Sequence, residues 1–164
     1  MTLTEIRTLS EYDDWATERT LESASSLPES KYQENLKSSH GGIHGTLAHV
    51  CWADGLWLSR WRGSPPPGLA ADEMPTLDSL KGQWRLFRVD LQTFLGGLSD
   101  SKLAAPLLYS DTKGNRHEEP LYQQMLHRIN HSSYHRGQVV TMLRQIGHKP
   151  IGTDMIAFFR ERRP

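Results

Sequence analysis

Apolar positions recur every three or four residues along most of this chain, and breakers cut the pattern into separate helical stretches. The first runs from Thr4 to Leu27 with Leu9, Tyr12, Trp15 and Ala16 at helical spacing, and Leu27-Pro28 ends it because the residue before a proline avoids helical angles. Pro28 to Gly42 reads as a connector. The second stretch, Ile43 to Trp61, carries Ile43, Leu47, Val50, Trp57 and Trp61 on an apolar side and stops at Gly63-Ser64-Pro65-Pro66-Pro67-Gly68. Thr76 as N-cap and Asp78 in the first turn open the third, whose stripe is Leu80, Trp84, Phe87, Leu91 and Leu95 before Gly96-Gly97. The fourth opens near Glu119-Pro120, with proline in a tolerated first position, and ends at Gly147 with Pro150 beyond. A short last helix spans Asp154 to Arg160, capped by Thr153 or Asp154. Between Asp100 and Glu118 the pattern changes, and Leu103 to Tyr109 reads as an extended segment that turns at Lys113-Gly114-Asn115. Four long helices with short connections predict an all-α protein, one domain over residues 1–164 built as a four-helix bundle.

Composition narrows the partners. The 164 residues are 37% hydrophobic and 23% charged, enough for one sizeable core. Nineteen basic and nineteen acidic side chains balance, so no global field draws the chain to nucleic acid or to an anionic membrane. The one thiol, Cys51, excludes an internal disulfide framework and a cysteine-based zinc finger, and two residues from His49 it points about 200° away, as a small core residue. Met1 to Ser10 lacks the basic start and apolar run of a signal peptide, and no stretch approaches the roughly 20 apolar residues of a membrane span, so a cytoplasmic location is expected. Trp57, Trp61, Trp84 and Phe94 read as aromatics left over once one core is filled, which points to a homodimer.

Eight histidines are the one compositional excess. On the fourth helix His127, His131 and His135 follow at i, i+4 and i+8, each displaced from the last by about 40°, so they form one stripe beside the apolar face. Polar rings turned from water must bind or hydrogen-bond something. An i, i+4 pair can share one ion, with a third ligand from another helix, and His40, His44 and His49 are available at or inside the second. His49 lies well inside that helix, whereas His40 precedes Gly41-Gly42 and His44 faces about 140° away from His49. The alternative is a stripe of hydrogen-bonded rings without metal. Gly137 reads as a site of close helix approach, and Arg136, on the apolar side, reads as paired with a buried carboxylate or with carbonyls, Asp54 being a candidate partner.

The run Asn130-His131-Ser132-Ser133-Tyr134-His135-Arg136-Gly137-Gln138, followed by Leu143-Arg144-Gln145, Gly147, Pro150 and Thr153-Asp154, resembles the signature of the DinB family, the DNA-damage-inducible, DinB/YfiT-like metalloenzymes. Ile43 to Asp54, Trp57-Leu58, the Tyr12 to Ala16 segment, Tyr109 and Gly114 extend the likeness over nearly the whole chain. The resemblance implies a four-helix bundle with one divalent ion on three histidines, matching His49, His131 and His135, and a homodimer. His127 then reads as a residue beside the site, not a ligand.

Three imidazoles leave a divalent ion, zinc or nickel by donor type, with an open position for water or a thiol. Related branches of the family resemble thiol-dependent transferases and isomerases, so the leading expectation is a transferase acting through a low-molecular-weight thiol, or a hydrolase, on a small-molecule substrate. Ser132 stands where a His-Glu-x-x-His motif has its glutamate, which argues against a metalloprotease and leaves the general base unassigned. The competing expectation is a non-catalytic metal-binding stress-response protein that acts through protein contacts.

Overall fold

The computed structural model describes residues 1–66 and 73–162. Its four long helices are α1 (Leu3–Ser25), α3 (Ile43–Arg62), α4 (Leu77–Gly96) and α6 (Leu121–Gln145), joined by α2 (Glu29–Tyr32), α5 (Asp100–Ala104), an antiparallel hairpin of β1 (Pro106–Ser110) and β2 (Arg116–Pro120), and a closing α7 (Met155–Glu161). The expected four-helix architecture is present. Two short helices were not legible in the pattern, because each forms a single turn after a local start signal: Pro28 precedes α2, and Ser99 caps α5 by accepting from the Lys102 amide.

Local chemistry explains the long elements. Thr2 caps α1 and Thr76 caps α4, each reciprocated by the side chain three residues on, Glu5 and Ser79. The buried residues of α4 are Leu80, Trp84, Phe87, Leu91 and Leu95, the stripe read from the sequence. Gly63 ends α3 in a left-handed conformation, φ +63°, that an L side chain resists, while Pro67 and Gly68 of that expected breaker lie outside the described residues. At the hairpin turn Asp111 Oδ1 accepts from the amides of Lys113 and Asn115, and Gly114 takes φ +86°.

Packing runs round a ring: α1 against α6, α6 against α3, α3 against α4, and α4 against α1. The hairpin lies against α3 and α6. Trp57, Trp61 and Trp84 are buried in this core, and Phe94 packs partly buried on it, so these aromatics are not left over for a partner. The large apolar side chains that stay exposed on α4 are Leu86 and Val89. Gly137 is exposed, and a Cβ added there would meet nothing within 4 Å, so it does not mark a close helix approach. No described helix is long and apolar enough to cross a membrane.

A charged cluster sits inside the bundle. Arg128 of α6 donates to Asp13 of α1 at 2.9 Å and to Asp54 of α3 at 3.3 Å, and all three side chains are 2–3% exposed. Arg136 pairs with the other oxygen of Asp13 and donates to Thr17 at 3.2 Å and Ser133 at 2.8 Å. The carboxylate expected opposite Arg136 is therefore Asp13, and Asp54 serves Arg128 instead. The cause is register along α6: two turns separate the arginines, and the single Asp13 reaches both through its two oxygens.

Breaking a buried pair by removing one partner leaves an uncompensated charge, at a cost of about 3–5 kcal/mol. Asp13→Ala leaves Arg136 without a carboxylate and Arg128 with Asp54 alone, and is expected to lower unfolding free energy in urea by about that amount, whereas Glu11→Ala, which frees the exposed Arg162, is expected to cost under about 1 kcal/mol.

Candidate metal centre

Helix α6 carries His131 and His135 one turn apart on the side that faces α3, and α3 presents His49 to them. His131 Nε2 lies 3.1 Å from His49 Nε2 and 3.1 Å from His135 Nε2. The three expected residues are thus brought together. His135 is buried, while His49 and His131 are half-buried.

A fourth ring joins them. His40 stacks on His49 with centroids 3.9 Å apart and planes 14° from parallel, and it meets His135 edge to face at 5.3 Å. Ring nitrogens of His40, His49 and His135 lie within 4.8 Å of one another. The sequence pattern set His40 aside because it precedes the helix, and its placement depends on close backbone packing. Gly41 turns the chain at φ +80°, and Gly45 on α3 lets the His40 carbonyl approach so closely that a Cβ there would lie 1.9 Å from it. Glycines at 41, 42 and 45 around a histidine were the available signal.

The remaining histidines face elsewhere. His44 bonds the Met74 carbonyl at 2.8 Å through Nε2 and packs on Tyr32, as the helical angle predicts. His127 is exposed, lies edge to face with Trp57 at 5.2 Å, and makes no hydrogen bond to the cluster among the described residues. Cys51 is buried in the core, where burial and the nearby Asp54 push its thiol up to about 12, so it is not a thiolate near neutrality.

Proton positions follow from the partners. The Gln138 side-chain oxygen lies 2.8 Å from His135 Nδ1 and accepts its proton, which leaves a lone pair on His135 Nε2, aimed at His131 Nε2. His131 Nδ1 is buried without a partner. With its one proton on Nε2, His131 can satisfy only one of the two facing nitrogens. With the proton on Nδ1, lone pairs confront each other. Either way the cluster holds an excess of acceptors that a cation would relieve. Ligand nitrogens about 2.0–2.1 Å from one ion lie roughly 3.0–3.4 Å apart, a range that holds for His131 Nε2 against both His49 and His135, while His40, His49 and His135 also converge closely enough to share an ion.

The electrostatics agree. Burial, and then the neighbouring imidazoles, push His49 and His131 down to about 4, and burial followed by His135 lowers His40. His40, His49 and His131 are therefore neutral near pH 7, the form that binds metal. No carboxylate hydrogen-bonds to the four rings among the described residues. Ser132 turns its hydroxyl the other way, 3.3 Å from Asp54, and links the cluster's helix to the charged network.

The chain as a whole is similar to known proteins. The model of the DinB family matches residues 1–163. The protein named DinB from Bacillus subtilis (strain 168) is 25% identical over 156 residues, covering 89% of this chain and 88% of that protein. The crystal structure of a DinB-like protein from Bacillus cereus ATCC 10987 superposes with a TM-score of 0.62 at 18% identity, over 88% of this chain and 94% of that one, which shows the shared fold.

In the metal-free chain the depressed imidazoles make stability pH-dependent. Between about pH 6.5 and 4 the unfolded chain binds protons at His49 and His131 that the folded chain does not, so stability falls as pH falls through that window. Unfolding midpoints of chelator-treated protein should drop from pH 7 to pH 5, and His131→Asn should flatten the dependence. An unchanged slope in that variant would contradict it.

Proposed function

The chain belongs to the DinB family, and from that premise we propose that it is a metal-dependent enzyme whose divalent ion rests on His49, His131 and His135 and whose substrate is a small molecule, transformed with a low-molecular-weight thiol or with water. What supports the reading is the meeting of three Nε2 atoms at 3.1 Å separations around His131, with the His135 tautomer held by Gln138. An all-imidazole donor set favours zinc or nickel over calcium or magnesium. When bound by these imidazoles, a divalent ion would supply Lewis acidity toward a thiol, water or an electrophile.

The chain's own groups set the rest. Gln138 fixes the ring of His135, and the packing of α3 on α6 fixes His49 against the pair. The side chain of His40 makes no hydrogen bond among the described residues and stacks on His49, so it is the nearest free base to take the proton of an incoming thiol or water. Trp52 beside His49 and the exposed Tyr134 beside His135 give the site an aromatic surround.

The test is elemental analysis of untagged protein, because a tag purified on nickel would report the column. One equivalent of zinc, nickel or a similar metal is expected, lost in His49→Ala, His131→Ala and His135→Ala and kept in His40→Ala, His117→Ala and His148→Ala. Gln138→Leu should weaken affinity about 10- to 100-fold. Metal-free native protein, or full occupancy in His131→Ala, would overturn the assignment.

A further inference from the structure

One helical turn from the cluster, a cleft of about 180 Å³ opens between α3, α6 and the hairpin, lined by Trp57, Tyr109, Glu119, Gln123, Gln124 and His127. Two of its polar atoms are buried without partners, and both are acceptors: Glu119 Oε2 and Gln124 Oε1. The orientation of Gln124 is fixed, because its side chain is buried and its nitrogen lies 2.8 Å from two carbonyls, those of Leu107 and Glu119. An amide nitrogen must face those carbonyls, so the oxygen is the atom left without a donor, in a residue that lines the cleft. Buried acceptors without a donor cost free energy that the fold does not recover internally.

The charge balance is equally one-sided. Glu119 makes no ion pair among the described residues. The nearby cation, Arg60, lies over the rings of Trp57 and Tyr109, at 4.7 and 5.3 Å from their centroids, and the Glu119 carboxylate acts on the Tyr109 hydroxyl, through its charge and a hydrogen bond. The cleft therefore joins a carboxylate, an amide oxygen and two aromatic rings already shown to hold a cation on a face. An anion is excluded by this lining. A hydroxyl can satisfy one acceptor but leaves the Glu119 charge unbalanced.

We propose that this cleft binds a primary ammonium group, with N–H donors to Glu119 Oε2 and Gln124 Oε1 and an attached apolar arm against Trp57. The proposal stands on the cleft and does not need a metal. Because His127 on its rim lies one turn before His131, a ligand seated there is presented beside the histidine cluster. The residue outside the site that the sequence singled out, His127, thereby acquires a place: it walls the cleft and does not support the ligands.

The probes are benzylammonium, benzyl alcohol and benzoate, titrated calorimetrically into chelator-treated and zinc-loaded full-length protein, with the indole N–H resonance of Trp57 followed by NMR. Benzylammonium is expected to bind both forms and shift Trp57, benzyl alcohol to bind about tenfold or more weakly, and benzoate not to bind. Glu119→Gln, nearly isosteric, should weaken benzylammonium about tenfold or more with an unchanged unfolding midpoint. Equal binding of alcohol and ammonium, or binding seen only with zinc present, would overturn the proposal. Wild-type discrimination among the three probes decides it even if the variant fails to fold. A protein without metal that still binds benzylammonium keeps this proposal and refutes only the metal reading.

Discussion

The interaction on which this structure depends is the buried ion network of Asp13, Asp54, Arg128 and Arg136. Apolar packing alone tolerates sliding of one helix against another, since one leucine fills much the same hole as the next. A buried guanidinium does not, because leaving it unpaired costs more than several methylene contacts return. Asp13 reaches both arginines from α1, and Asp54 reaches Arg128 from α3, so the register of α6 against both neighbours is tied to charge pairing.

That register places the histidines. Arg128 and Ser132 occupy the inner side of α6 that meets Asp54, and His131 and His135 follow on the adjoining side, opposite His49. Ser132, between His131 and His135 in sequence, carries the connection directly. Burial raises the Asp54 carboxyl while Arg128 opposes the rise, so the network is held by its arginine and not by solvent. The same helix thus has a charged seam that locates it and an imidazole seam that it displays.

The site itself is set by missing atoms as much as by present ones. Without a Cβ at Gly45 the His40 carbonyl can rest on α3, and without one at Gly42 the carbonyl of Glu34 can do likewise, a Cβ there lying 2.1 Å away. The connector after α2 is thereby pressed onto the start of α3 and carries His40 over His49. On the far side the hairpin, fixed by the Asp111 turn and by Gln124 bonds to Leu107 and Glu119, walls the neighbouring cleft. Stacked imidazoles at one end and unpaired acceptors at the other give α6 two adjoining clusters of different chemistry.

Much of this was written in local pattern. Helix positions, the Thr76 cap, the α4 stripe and the i, i+4 histidine pair depend only on residue type and a fixed angle per residue, so periodicity reveals them, and His49 stood out because a regular helix holds it rigid. Single-turn α2 and α5 fell below the length at which periodicity shows. What the tertiary structure alone decided are the pairings between distant segments: Asp13 and not Asp54 against Arg136, His40 over His49, and His127 on a cleft wall. Each is fixed by helix register and backbone approach in three dimensions, distances that depend on every packed residue between, and no local spacing along the chain encodes them.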